Sequence, residues 1–212
     1  MPSSSLNKMT VPLASDQSSS TQGLLMPKLR YRFRVMFENF GANGVPTTEL
    51  TKQVVSFARP NLTFEPIQLP IYNTTIKLAG RHTWADVAVE IRDDASGSVS
   101  TLIGQQIQKQ MDFLEMSSAA SGIDYKFLTK LEILDGGNGG HDITVLETWE
   151  LYGCYLVSAD YGPMNYGTNE AVAITMNISY DNAHNYNGDV GGIGGVLGRT
   201  VNDVVTGVGQ GV

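Results

Sequence analysis

The side chains able to do chemistry are few and scattered along this chain. Its three histidines, His82, His141 and His184, stand far apart and form no HxH or HxxxH pair, and the single cysteine, Cys154, belongs to no CxxC motif. A transition-metal site needs three or four convergent ligands, so these residues read as ordinary structural side chains and no metal site is expected. Asp93-Asp94 offers two carboxylates side by side, the material of acid–base catalysis. Neighbours on a strand point to opposite faces, however, and the pair fits a strand leaving its sheet into the Ala95-Ser96-Gly97 turn. The run from Gly136 to His141 is rich enough in glycine to cradle a phosphate, but it lacks the P-loop lysine and a following helix to receive the anion. Ser117, Ser118 and Ser121 have no histidine nearby and no nucleophile-elbow pattern around them. No catalytic constellation emerges, no cofactor is implied, and an enzyme is not expected.

What stands out instead is the segment from Phe57 to Trp84. Pro60, Pro66 and Pro70 remove backbone donors within eleven residues, which bars most of this stretch from a central strand. It is read as a long extended loop. Phe64, Ile67, Leu69, Ile71, Tyr72, Ile76 and Leu78 make it apolar, with Arg81 near its end. Such a loop on a lone soluble molecule would expose an unusual apolar surface, and a neighbouring subunit would cover it.

The elements around that loop are mostly strands. Arg30 to Glu38 alternates, with Tyr31, Phe33, Val35 and Phe37 on one face and three arginines on the other. The same period marks strands over Lys52–Phe57, Ala85–Arg92, Lys126–Leu134, Ile143–Tyr152, Cys154–Ala159 and Val172–Tyr180. Gly153 reads as a break between two of them, and Asp135–Gly140 as a hairpin connector. From Ser98 to Met116 the apolar residues Val99, Leu102, Ile103, Ile107, Met111 and Leu114 recur at spacings of three and four, predicting one amphipathic helix with Ser98 or Ser100 as its N-cap. The fold class is therefore mainly β: an antiparallel β-sandwich or barrel with one flanking α-helix.

Composition sets the remaining bounds. The 212 residues carry a formal charge of −7, and only 17% are charged, below the roughly 25% of ordinary soluble domains. An acidic balance argues against gripping nucleic acid through its phosphates. Residues 1–28 are serine-rich and read as a flexible arm. Within it, Met1–Gln22 lacks the basic and apolar regions of a secretory signal, and nowhere is there a run of apolar residues long enough to span a bilayer. Residues 29–186 form the β-domain. Residues 187–212 hold nine glycines among valines and a leucine, an extension too apolar for an ordinary linker and expected to dock on its own body or on a neighbour.

The order of these segments resembles the tail tube proteins of contractile-tailed bacteriophages, within the tail tube and Hcp-like superfamily. The likeness runs from Ala58-Arg59-Pro60 through Pro66, Ile67, Pro70 and Asn73 to Ile76–Arg81, Thr83-Trp84 and the strand Val87–Asp94. It continues through the helix to Trp149-Glu150-Leu151-Tyr152-Gly153 and the last strand, Val172–Asp181. The resemblance implies a homo-hexameric ring whose sheets join into one continuous barrel, rings stacked into a tube within a contractile sheath, and sheath, baseplate and tail terminator proteins as partners. It further implies a virion component assembled in the host cytoplasm, passive passage of DNA without specific binding, and no membrane. The loop from Pro60 to Arg81 would reach an adjacent subunit, and the helix would pack outside the barrel. An acidic lumen would keep DNA from adhering, with Glu90, Glu132 and Glu150 as candidates for its charge. Alternatives are a tube subunit of a secretion or phage-like injection system, or a baseplate protein that initiates the tube. An enzyme or carbohydrate-binding sandwich would instead cluster aromatic or acidic residues at one loop end, whereas Trp84 and Trp149 are too far apart in the strand plan.

Overall fold

The computed structural model describes residues 28–42, 47–136, 143–167, 169–186 and 192–193. The arm before Lys28, the glycine connector beyond Gly136 with His141, and the C-terminal extension apart from Gly192 and Ile193 lie outside the described residues.

Strand β1 spans Phe33–Glu38, with Val35 and Phe37 buried as their alternation requires. Tyr31, expected on the same row, lies in a turn before the strand and is exposed. Helix α1 (Thr48–Gln53) takes the first two residues of the strand expected from Lys52. Strand β2 (Val54–Phe57) begins where the β-branched pair Val54-Val55 begins. There follow β3 (Leu62–Ile71), β4 (Thr74–Trp84) and β5 (Val87–Arg92). Helix α2 (Ser98–Gln110) stops six residues short of the expected end at Met116. Met111 and Leu114 therefore leave the helix: β6 (Met111–Asp112) pairs with β7 (Ser117–Ser118) in a small hairpin. After α3 (Gly122–Tyr125) come β8 (Phe127–Leu134), β9 (Val145–Asp160), β10 (Ala173–Ser179) and β11 (Asn182–Tyr186). Two short helices thus join the single one expected.

The main sheet has seven strands in the order β1-β8-β9-β10-β5-β2, with β11 also paired to β9, and its described pairings are antiparallel. Its two halves share β9. The first part of β9 pairs with β8 and β11, the last part with β10. What was expected to be two strands separated at Gly153 is one strand of 16 residues. Gly153 has φ +67 and sits in a bulge rather than a break. The bulge shifts the inward phase by one residue, so that Trp149 and Leu151 before it and Cys154 and Leu156 after it are all buried. A second register shift opposite Asn177/Ile178 turns Ala159 inward in its turn.

Both halves contribute to one core. Val35, Leu131 and Leu151 from the first meet Val89, Ile91, Ile174 and Met176 from the second, and Val99, Leu102 and Ile103 of α2 complete it. Phe37, Phe40 and Phe127 pack ring on ring, with the last two edge to face at 4.9 Å. Buried polar groups pin the helix in place. Gln106 accepts from Gly41 N at 3.0 Å and donates to Tyr125 O at 2.6 Å. Gln110 exchanges both amide bonds with the backbone of Leu156, at 2.8 and 2.9 Å, and so acts as a one-residue strand partner for β9.

Candidate assembly interface

Among the described residues no group of histidine, cysteine and acidic side chains could hold a metal ion. His82 is exposed on β4, and His184 stacks on Tyr152 with ring centroids 5.0 Å apart. Asp94 leaves the end of β5, as the turn reading required, and caps α2. It accepts from Ser98 N at 2.9 Å, from Ser98 Oγ at 2.7 Å and from Ser96 Oγ. Those two hydroxyls hold its carboxyl down at about 2. The cap thus comes from a side chain four residues ahead of the helix, with Gly97, not Ser98 or Ser100, in the N-cap position. Ser121 accepts from Ile123 N and completes a capping box with Asp124 at the start of α3.

The proline-rich segment, expected as a loop, is a β-ribbon. β3 and β4 pair only with each other, from Leu62 opposite Trp84 to Ile71 opposite Thr74. Each strand is bonded on one side only, so Pro66 and Pro70 direct their donor-less nitrogens outward without breaking the ladder. The ribbon continues the second half of the main sheet. Ala58 N donates to Ala88 O at 2.9 Å and Ala85 N to Asn61 O at 3.0 Å, carrying β2 and β5 directly into β3 and β4. At strand rise its ten residues extend about 30 Å.

Register places Ile67 opposite Leu78 and Leu69 opposite Ile76, with Ile71 on the same face, so the outer part of the ribbon presents a single apolar row. These five side chains are 44–51% exposed. Tyr72 forms the tip at φ +49 and is fully exposed. Phe64, 54% exposed, lies on the other face near the base. There Phe64, His82, Trp84 and Tyr180 form a line of rings 5.7–6.4 Å apart that leads to the core. Gly80 sits at the register shift, where a Cβ would run into the carbonyl of Glu65. The structure therefore brings the residues named from the sequence (Pro60 and Arg81 at the base, the apolar set beyond) onto one protruding element.

It does not bring the three glutamates together. Glu132 and Glu150 lie on the outer face of the first sheet half, inside a charge ladder. Glu132 pairs with Arg34, and Lys130 lies 3.2 Å from Glu38 and 3.3 Å from Glu150. Glu90 lies on the outer face of the second half, where Ser56 Oγ donates to it at 3.2 Å and Thr175 stands opposite. That second face also carries the small side chains Ala88, Ser158, Thr175 and Asn177, with Asp160 opposite Thr175 and Arg92 opposite Ala173.

Sequence reading also missed Glu147, a buried carboxylate in β9. Burial alone would raise its pKa, but donors from Lys28 Nζ and from Trp149 Nε1 at 2.7 Å, with the positive charges of Lys28 and Arg59, outweigh that and hold its carboxyl below the ordinary value, and Asn185 Nδ2 also donates to it at 3.1 Å. Its position in a strand otherwise alternating inward apolar residues is the sequence signal for it.

A seven-stranded antiparallel sheet folded around one core, with a helix on its flank and a long ribbon leaving one half, is a fold that this chain shares with solved chains of contractile injection particles. A chain of the anti-feeding prophage tube-terminating cap superposes with a TM-score of 0.57 at 13% identity, covering 84% of this chain and 100% of that one. A chain of the sheath/tube terminator of PVC, an extracellular contractile injection system, gives 0.56 at 12% identity over 77% and 99%. A chain of the anti-feeding prophage baseplate gives 0.54 at 16% over 76% and 97%. No protein-family model matches the sequence, and no curated protein matches it significantly.

Proposed function

We propose that this chain is a structural subunit of the inner tube of a contractile tail. In this reading it assembles as hexameric rings that stack into a conduit for DNA inside the sheath. The observation that carries it is the β3–β4 ribbon, an element with its apolar row uncovered on the lone chain and its backbone continuous with the main sheet. Docked on neighbouring copies, the ribbon extends the second sheet half from one subunit into the next and removes open edges. The face propagated in this way, with Ser158, Thr175, Asn177, Ala88 and Glu90, lines the lumen. Small neutral side chains, with the acids Glu90 and Asp160 beside the cation Arg92, give DNA phosphates little to hold. Of the three acids named from the sequence, Glu90 then belongs to the lumen, while Glu132 and Glu150 belong to the outer wall. Sheath, baseplate and terminator proteins are the partners, and the assembled particle tail is the location. A second reading, a tube or cap subunit of a phage-like injection system, is favoured by the source of the similar solved structures, which are chains of the anti-feeding prophage and of an extracellular contractile injection system.

Negative-stain imaging of the concentrated full chain tests the reading. Rings or hollow filaments are expected from the native sequence. The double substitution Ile67→Asp, Leu69→Asp should abolish them while leaving the melting temperature of the body unchanged. A native chain that stays monomeric at high concentration, or a double variant that assembles normally, overturns it.

A further inference from the structure

The main path of the sheet ends at β1 and β2, each paired on one side, with β11 as a further edge strand branching from β9. Between β1 and β2 lies a cleft of about 590 Å³ with an apolar floor that includes Phe33, Val55 and Phe57. Its rim is basic, carrying Arg30, Arg32 and Arg59; among the described residues no carboxylate lines it, and Glu147, behind Lys28, is the acid whose charge reaches Arg59. Lys28 also borders it but is engaged by Glu147. In a chain of net charge −7 this is an unusual concentration of cations. An inorganic anion would neutralise the rim and leave the floor wet. The occupant must be apolar at its point and acidic beside it.

The same molecule carries such an element. The β6–β7 turn holds Phe113, Leu114 and Met116 out into solvent, with Leu114 91% exposed. Glu115 is exposed in the same turn. The turn is built rather than slack: Asp112 Oδ1 accepts from Gln108 Nε2 at 2.6 Å and from Leu114 N at 2.9 Å. A point held in shape by its own bonds loses little conformational freedom on docking. It does not border the cleft of its own chain: Phe113 lines a separate groove beside Leu156 and Ala159. The turn is tied to β9 through Gln110 at Leu156, and the cleft is tied to β9 through Lys28 at Glu147. Those anchor points are nine residues apart, up to about 30 Å at strand rise.

We propose that the β6–β7 tip of one copy seats in the β1–β2 cleft of the next, Phe113 and Leu114 on the apolar floor and Glu115 against Arg30 and Arg59. Because the two surfaces differ and lie at separate ends of β9, the contact is head-to-tail, the kind that propagates into a closed ring or an open stack. The inference rests on the reading of the chain as a self-assembling tube subunit, and it assigns a second interface distinct from the ribbon.

Cysteine trapping on the full-length chain tests it, since native Cys154 is fully buried and does not compete. Under oxidising conditions a mixture of Val55→Cys and Leu114→Cys chains should give at least tenfold more disulfide-linked dimer than either variant alone, and a chain carrying both should give a ladder of multimers. Glu115→Lys should weaken assembly at least tenfold by sedimentation, and Arg59→Glu in the same chain should restore part of it. If the native chain assembles but the mixture links no better than the single variants, the proposed contact is wrong and the tube reading stands. If Tyr166→Cys captures Val55→Cys in place of Leu114→Cys, the occupant is the loop after β9 and the proposal falls. A native chain that never assembles removes both.

Discussion

The bulge at Gly153 lets one strand serve both halves of the sheet, and Gly153→Ala measures what it contributes. Two costs arise from the structure. The backbone at φ +67 is left-handed, which costs a residue with a Cβ about 1–2 kcal/mol. The new Cβ would also fall 2.7 Å from Asp181 Cγ and closer still to its Oδ2. Asp181 is a surface side chain and can swing away, but it then leaves Lys126, 2.5 Å distant, and an exposed pair of this kind contributes up to about 1 kcal/mol. Together the loss is about 2 kcal/mol. With a urea slope of about 2 kcal/mol/M for a domain of this size, the unfolding midpoint should drop by roughly 1 M. Fluorescence of Trp84 and Trp149, at the base of the ribbon and in β9, reports the transition in dilute protein. In an Asp181→Ala background the clash is gone, and the same substitution should cost only the backbone strain. A Gly153→Ala chain within about 0.5 kcal/mol of the native one, the ordinary scatter of surface changes, would refute the reasoning.

Two further outcomes follow from the titrating groups. The carboxyl of Asp94 is lowered from 3.8 to about 2 by the hydroxyls of Ser96 and Ser98, so its contribution is present above pH 3.8 and lost as pH falls towards 2. Asp94→Ala should lower the melting temperature near neutrality, and the gap to the native chain should close across that acid range in circular-dichroism melts. Burial raises the Cys154 thiol from 9.0 to about 11 and the Tyr180 phenol from 10.0 to about 12, so both favour the fold below their unfolded values and lose that effect as pH rises through the folded ones. Native protein near pH 7 should therefore react with a maleimide on the order of a hundredfold more slowly than unfolded chain, and an ultraviolet titration should show one tyrosine ionising near pH 12.

Alternation made β1, β5, β8 and β10 legible, because each has one face on the core and one outside it. β9 was harder. Its inward residues change phase at Gly153, and a glycine between two alternating runs looks like a break until the shift from Trp149 and Leu151 to Cys154 and Leu156 is counted as one inserted residue. The prolines of the ribbon correctly excluded a central strand but not an unaccompanied two-stranded one, which leaves one side of each strand unbonded. The apolar spacing of α2 ran on through Met111 and Leu114, yet Met111 is only half-buried, Leu114 faces solvent, and Asp112 bonds back to Gln108 to close the turn. The apolar ribbon residues were all identifiable as uncovered surface. The separation of Glu90 from Glu132 and Glu150 was not, because it depends on how the sheet folds over its core rather than on any local spacing.

A pulling or pushing force applied to one half of this molecule meets an unusual load path. In sandwiches built from separate sheets such a force crosses between layers through side-chain contacts, which slide. Here the 16 residues of β9 run through both halves. Covalent backbone carries the stress across, and the flanking ladders of β8, β10 and β11 take it up in shear, many bonds at once. A body wired in this way moves as one rigid piece when driven along its length, and in the proposed assembly the weakest joint would lie between copies rather than within one.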